Sequence, residues 1–471
     1  MAQLALIALA LLAYALVSRR GDGLGLTPPL AFALIGLGAA RFGGSLPELL
    51  GAGAGVLTVA EATLVFVLFV GATEIDLSAF RKQLRLPERL LAVGFPLTFL
   101  AGWGAALWLL PSLDVATAAL LAIVLTPTDA ALGQAVVTNP AVPLRIRQSL
   151  NAESGFNDGL AFAFFATVLA VATGTQDGSA GGALAGEVGQ QLLLGLLGVP
   201  LGAFVGWGGG RAIAYARERG WAEEPYAKIG MLALPAIAYG TAEWLGVNGF
   251  LASFAAGLLF GSRFGAGSEA GSGASSEASS DASSGHGDEP AGETGSGGSI
   301  GGEAARRPAD AAPGAAPPAE ESSRVARLTR FAQVESELLT VLVFFAFGAV
   351  LLADALAGMA WRHVGYGLLS LTAVRMVPVA LSLLGTGTDR RTVAFVGWFG
   401  PRGLGSVVYF LLAGESLDAR LDAAPGDGSV FAELQAAVCA TVALSIVLHG
   451  VTAAFLPQVY GRAERASGEL S

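Results

Sequence analysis

Four stretches of this chain run the thickness of a bilayer without a charge. Arg89 to Asp114, Glu187 to Arg211, Glu243 to Arg263 and Glu433 to Arg462 each enclose only uncharged residues. About 20 such residues, rising about 1.5 Å each, cross the roughly 30 Å hydrocarbon layer as one helix. In lipid the backbone satisfies its own polar groups only in helices or closed barrels. Composition obeys the same constraint: 53% of the 471 residues are hydrophobic and 14% charged, against about 25% charged in soluble domains. That argues against a soluble enzyme. One cysteine, Cys439, and three scattered histidines (His286, His363, His449) without HExxH or CxxC offer neither a disulfide framework nor a zinc motif.

With Gly, Pro and charge clusters as boundaries, helices are expected near 2–18, 28–42, 57–73, 89–110, 115–138, 147–173, 188–216, 226–244, 247–262, 335–355, 362–385, 391–413 and 430–458. The reading is an all-α polytopic membrane protein of about thirteen transmembrane helices. Basic residues provide a check on the count. If the first helix runs outside to inside and is retained, 22 of the 27 Lys and Arg residues fall on the inner face. Arg41, Arg362 and Arg420 fall outside, while Arg375 and Arg402 stay within the membrane. The N-terminus is therefore expected outside and the C-terminus in the cytoplasm of a cell-membrane protein. Net charge is −10, and most of it lies in residues 264–323, a Gly/Ser-rich tract with ten acids against Arg306 and Arg307. Such a tract cannot bury a core and reads as a disordered cytoplasmic linker, partner unknown. The expected division is 1–173 (helices 1–6), 174–225 (connecting helix 7), 226–262 (helices 8–9), 263–324 (linker), 325–459 (helices 10–13) and 460–471 (cytoplasmic tail).

Charges inside such helices cost about 2.5–3.5 kcal/mol each on insertion scales, which makes intramembrane acids functional candidates. In LLAIVLTPTDAALGQAVV, Pro127 lacks an amide donor and disfavours helix at Thr126, so the helix should kink or unwind around Thr126, Pro127, Thr128 and Asp129. Unwinding exposes carbonyls and helix ends that coordinate or compensate an ion. A proline kink packed between neighbours would use the same string. The next helix carries Glu153, Ser154, Asn157 and Asp158, and Asp158 precedes eighteen uncharged residues. Ser154 and Asp158 share a face, as do Glu153 and Asn157. A carboxylate at that depth is neutralised by a proton or by a bound cation, one at a time, which is the minimum machinery for exchange. Arg375, alone in its apolar run, is the natural counter-ion for Glu153. Gly400, Pro401, Arg402 and Gly403 break a second apolar helix, where Arg402 can compensate exposed carbonyls. The two breaks occupy corresponding fifth helices of two sets, and the odd number of helices before the second set inverts it. Paired interrupted helices in inverted repeats point to a secondary transporter's binding site.

The strings TPTDAALGQAVV, NAESGFNDG, VNGFLASFAAGL, LTAVRMVPVALS and GWFGPRGLGS resemble successive signatures of the NhaP-type monovalent cation:proton antiporters, relatives of the sodium/hydrogen exchangers. The resemblance runs from about Gly71 to Val451 and omits the linker. It implies thirteen helices in two inverted repeats with two broken, crossing helices, a homodimer, and a mobile core bundle. It also implies Na+ (or Li+ or K+) at Asp158, Asp129, Ser154 and Thr128, with Asn157 as polar neighbour and Glu153 paired to Arg375. Asn before the essential Asp is associated in that family with electroneutral one-to-one exchange for H+, without a cofactor. Two departures stand out. Ala130 follows Asp129 where many relatives have Pro, and no third-helix acid aligns with the site: Glu61 and Glu74 are candidates, and the matching position is Val70. A cation channel would need rings of ligands from symmetric subunits. A membrane-embedded enzyme would need a nucleophile and base, and His449 has no evident partner in the sequence. Nothing points to nucleic acid.

Overall fold

In the computed structural model the described residues are 25–42, 54–75, 85–173, 181–264, 319–421 and 428–468, with scattered positions between 9 and 18. Among them every regular element is helical. The helices are α1 (Pro28–Phe42), α2 (Ala54–Thr73), α3 (Arg85–Leu109), α4 (Val115–Val124), α5 (Ala130–Val137), α6 (Leu144–Ala172), α7 (Gly181–Glu218), α8 (Glu224–Trp244) and α9 (Gly249–Phe264). After the acidic tract come α10 (Ala319–Ala346), α11 (Trp361–Ser382), α12 (Arg390–Trp398), α13 (Leu404–Leu421), α14 (Gly428–Ala453) and α15 (Leu456–Gly468). A π-helical segment, Phe347–Leu352, and a further turn, Ala353–Gly358, prolong α10.

Seven helices among the described residues are long and apolar enough to cross a membrane, and four shorter apolar ones accompany them. The short ones include the consequence of the two proline breaks. Segment 115–138 divides into α4 and α5, and segment 391–413 into α12 and α13. Asp114 starts α4 by accepting the Thr117 amide at 2.7 Å, and Asp389 starts α12 by accepting that of Arg391 at 2.9 Å. Each satisfies a donor that a helix N-terminus leaves free.

The expected first helix, 2–18, lies for more than half its length outside the described residues, and the structure shifts several of the other boundaries. α9 continues to Phe264 and α10 begins at Ala319, so both ends of the expected 263–324 linker are helical; residues 265–318 lie outside the described ones. The stretch EESSRVARLTR contains no Gly or Pro to stop a helix growing back from the apolar run. The expected last helix, 430–458, stops at Ala453. The expected tail belongs to a separate helix, α15, whose Tyr460 stacks on Phe395 at 4.2 Å between ring centroids.

Two groups of helices share the structure. α2, α7, α8 and α9 pack together, with α1 and α10 alongside; α3, α4, α6, α11 and α14 form the surroundings of the breaks. In the first group α7 lies close along α9 through Gly198, Gly202 and Gly206, spaced four apart. A Cβ at Gly202 or Gly206 would overlap the carbonyl of Ala252 or Ala256. Between helices in lipid, where hydrophobic burial contributes little, such backbone approach supplies the packing.

Candidate functional site

The two broken helices meet at their interruptions. After α4, the Thr126 hydroxyl donates back to Ala122 O at 2.7 Å, and the chain turns through Pro127 and Thr128. Asp129 then caps α5, its Oδ1 accepting the amides of Ala131 (2.6 Å) and Leu132 (3.1 Å). Its other oxygen, Oδ2, accepts the Leu404 amide, the first of α13. The Asp129 amide in turn donates to Pro401 O at 2.8 Å. One carboxylate therefore meets the positive ends of two helices, where negative charge is stabilised.

The opposite compensation comes from Arg402. Its Nη1 donates to Thr126 O and, at 2.8 Å, to Pro127 O. These carbonyls lie just past the end of α4, where the helix dipole is negative. The Arg402 side chain is fully buried, so this is no arginine reaching for an aqueous interface. Its own amide donates to Ser445 Oγ at 2.7 Å. Ser445 Oγ lies 3.2 Å from His449 Nδ1, and His449 Nε2 lies 2.9 Å from Trp398 O. With Nε2 carrying the hydrogen, the imidazole donates to the last carbonyl of α12 and accepts from Ser445. His449, without an evident partner in the sequence, thus supports the second break from α14. Ser445 and His449 are four apart on an apolar helix, a spacing that puts both on one face.

From α6, Asn157 and Ser154 reach the first break. Asn157 Nδ2 donates to Thr128 Oγ1 at 2.8 Å and its Oδ1 accepts the Thr128 amide at 3.3 Å. The Thr128 and Ser154 hydroxyls are 3.0 Å apart. Asp158, one turn on from Ser154, is 2% exposed, and its Oδ1 is buried without a hydrogen-bond partner. α13 closes over it: a Cβ at Gly405 would sit 2.9 Å from Asp158 Oδ1, so glycine lets the carboxylate approach the helix backbone. Tyr409, further along α13, donates to the Asp158 carbonyl at 2.5 Å. Gly405, Tyr409, Ser445 and Leu404 were not singled out from sequence, since each acts through an approach between distant helices.

Glu153 and Arg375 lie 2.6 Å apart, each side chain 3% exposed. Glu153→Ala strands a buried guanidinium and is expected to destabilise the protein by about 3–5 kcal/mol, whereas Glu153→Met with Arg375→Met recovers most of the loss. Thermal unfolding of the three variants checks this; equal losses in single and double variants would refute a pairwise role. Glu61 and Glu74 go elsewhere. Glu61 stands within electrostatic reach of Glu243 and Glu415. Glu74, just past the end of α2, accepts from Gln134 and Gln333. Burial raises its carboxyl above the usual range, opposed by those two hydrogen bonds. A cavity of about 420 Å³ runs beside them, lined by Val70, Gly71, Gln134 and Glu337, and reaches Ala130 and Ala131 on the first turn of α5.

Comparison with known proteins agrees with this architecture. A model of the sodium/hydrogen exchanger transmembrane domain matches residues 7–271 and 316–458. The uncharacterized Na(+)/H(+) exchanger YjcE of Escherichia coli is 33% identical over 152 residues, 32% of this chain and 27% of that protein. Na(+)/H(+) antiporter 2 of Zygosaccharomyces rouxii is 31% identical over 168 residues, 34% of this chain and 20% of that one. The matches thus span about a quarter or less of these relatives. Two structures of the sodium proton antiporter MjNhaP1 from Methanocaldococcus jannaschii share the fold at 17% identity. Their TM-scores are 0.65 and 0.68, with 98% and 97% of this chain covered, and 100% and 97% of those chains. With the family model covering most of its length on both sides of the acidic tract, the chain belongs to the sodium/hydrogen exchangers, a family of membrane transporters and not of enzymes.

Proposed function

We propose that this protein is a secondary active antiporter that exchanges Na+ for H+ across the cell membrane by alternating access. The observation that carries the reading is Asp158: a buried carboxylate whose Oδ1 has no hydrogen-bond partner, beside two crossed helix breaks. Charged and empty, it is costly in a membrane interior. A proton or a monovalent cation relieves that cost, and whichever is bound excludes the other. Ser154, Thr128 and Asp129 are the proposed co-ligands, with Asn157 holding Thr128 in place. Pro127, Pro401 and Arg402 maintain the breaks, and Glu153 with Arg375 is a structural pair. The family membership and the names of the relatives favour Na+; Li+ and K+ remain alternatives, K+ more so because apolar Val70 stands where some relatives supply an acid. Exchange is electroneutral, one cation for one proton, and needs no cofactor. The working unit is a homodimer in the bilayer, its N-terminus outside and its C-terminus and acidic tract cytoplasmic. The tract joins the halves of the second repeat, 226–262 and 325–459; the first repeat is 1–173, and 174–225 connects the two.

Proteoliposomes carrying a pH gradient test this. Addition of Na+, Li+ or K+ is expected to dissipate the gradient with saturation. A net charge moved per cycle would respond to voltage by about 2.3 kcal/mol per 100 mV. One-to-one exchange is expected to run at the same rate with voltage clamped at either sign. No dissipation by any of the three ions rejects antiport, while cation flux in the absence of a counter-gradient favours a channel.

A further inference from the structure

A second hollow, of about 750 Å³, lies apart from Asp158, where three helices end at the arginine-rich face. α3 contributes Arg85, Glu88 and Arg89, α6 contributes Arg145, and the turn after α11 contributes Gly385 and Thr386. Arg89 Nη1 donates to Leu384 O at 2.7 Å and Ser382 O at 3.3 Å, so the guanidinium caps the negative end of α11 and is held in place. Arg85 and Arg145 form no ion pair with a described residue. Among the described residues that line it, three guanidiniums stand against one carboxylate, a net positive charge.

The depth and rim of the hollow identify what balances it. Arg85 begins one apolar span, Leu144 begins another and Ser382 ends a third, so the hollow sits at the edge of the hydrocarbon layer, where lipid phosphates lie. Exposed apolar side chains accompany it: Val93 in the lining, Leu144 and Leu384 next in sequence to the lining residues Arg145 and Gly385, and Leu381 on the last turn of α11. A planar guanidinium matches two oxygens of a phosphate. Basic pockets between membrane helices on the arginine-rich side accept anionic lipid headgroups. A soluble phosphate would satisfy the arginines and leave the leucines and Val93 without a role.

We propose that this hollow seats the phosphate of an anionic phospholipid, with Arg85, Arg145 and the anchored Arg89 around the headgroup and the acyl chains along Leu381, Leu384 and Val93. Bound there, the lipid ties α3 to α6 and α11, the two helices that carry the Glu153–Arg375 pair. The site is independent of the ion proposed at Asp158.

The test is thermal unfolding of the full chain in detergent, titrated with phosphatidylglycerol, phosphatidylcholine or inorganic phosphate. Phosphatidylglycerol is expected to raise the unfolding temperature by about 3 °C or more near saturation, the other two by less than a third of that. Arg85→Gln with Arg145→Gln is expected to lose most of this shift, and the paired lysine variant to retain more of it. Should the glutamine pair fail to fold, each single variant is read in the same way. Equal shifts in wild type and variant, no shift in wild type, or a phosphate shift matching that of phosphatidylglycerol each overturn the proposal.

Discussion

Asp158→Asn is expected to reduce cation-driven proton flux in proteoliposomes to that of protein-free vesicles, while the purified protein unfolds at the same temperature as wild type or higher. The amide matches the carboxylate in size. It neither takes up a proton in the relevant range nor balances a cation's charge, so both proposed ligands are lost together. Stability is spared because Asp158 Oδ1 contributes no hydrogen bond to the fold. Removing an unpaired buried charge relieves a desolvation cost. Transport near the wild-type rate would end the assignment, whatever the stability.

Arg402→Met is expected to do the reverse, acting first on the fold. The guanidinium serves Thr126 O and Pro127 O across the two breaks, and its loss strands both carbonyls beyond the reach of water. Hydrogen bonds from charged donors contribute about 1.5–3 kcal/mol each, so the loss should be about 3 kcal/mol or more. Arg402→Lys keeps the charge without the planar fork and should fall between the two. Size-exclusion profiles and thermal unfolding measure this. A methionine variant that is monodisperse and unfolds with the wild type would show that the breaks need no cationic support.

The contrast between Asp158 and Arg402 also marks where sequence reasoning succeeds. Among the described residues most helix positions are legible because lipid forces long apolar runs into helices, and the breaks because proline lacks a donor and restricts the residue before it. The i, i+4 rule grouped Ser154 with Asp158 along α6. It carried no information on what approaches from another helix. Asp129 is the clearest case: its sequence context suggested an ion ligand, and the structure adds that its carboxylate caps α5 and the start of α13. Gly405 and Tyr409 became visible only when α13 was placed against α6. Helix ends at Ala453 and Ala319 were missed because propensity sets such limits weakly and neighbours set them strongly.

Asp129 gives its amide to Pro401 and takes the amide of Leu404, so each interruption is knotted to the other through one residue. Neither can hinge alone without stranding donors in a dry interior. It follows that any displacement carries both interruptions together as a single block, and that in the proposed exchange the passage opens at the block's outer walls rather than between the two breaks. Such a clasp makes two irregular segments, ordinarily the softest parts of a chain, among the stiffest here. Amide hydrogens at Asp129 and Leu404 should accordingly exchange with solvent as slowly as those in the middle of an unbroken helix.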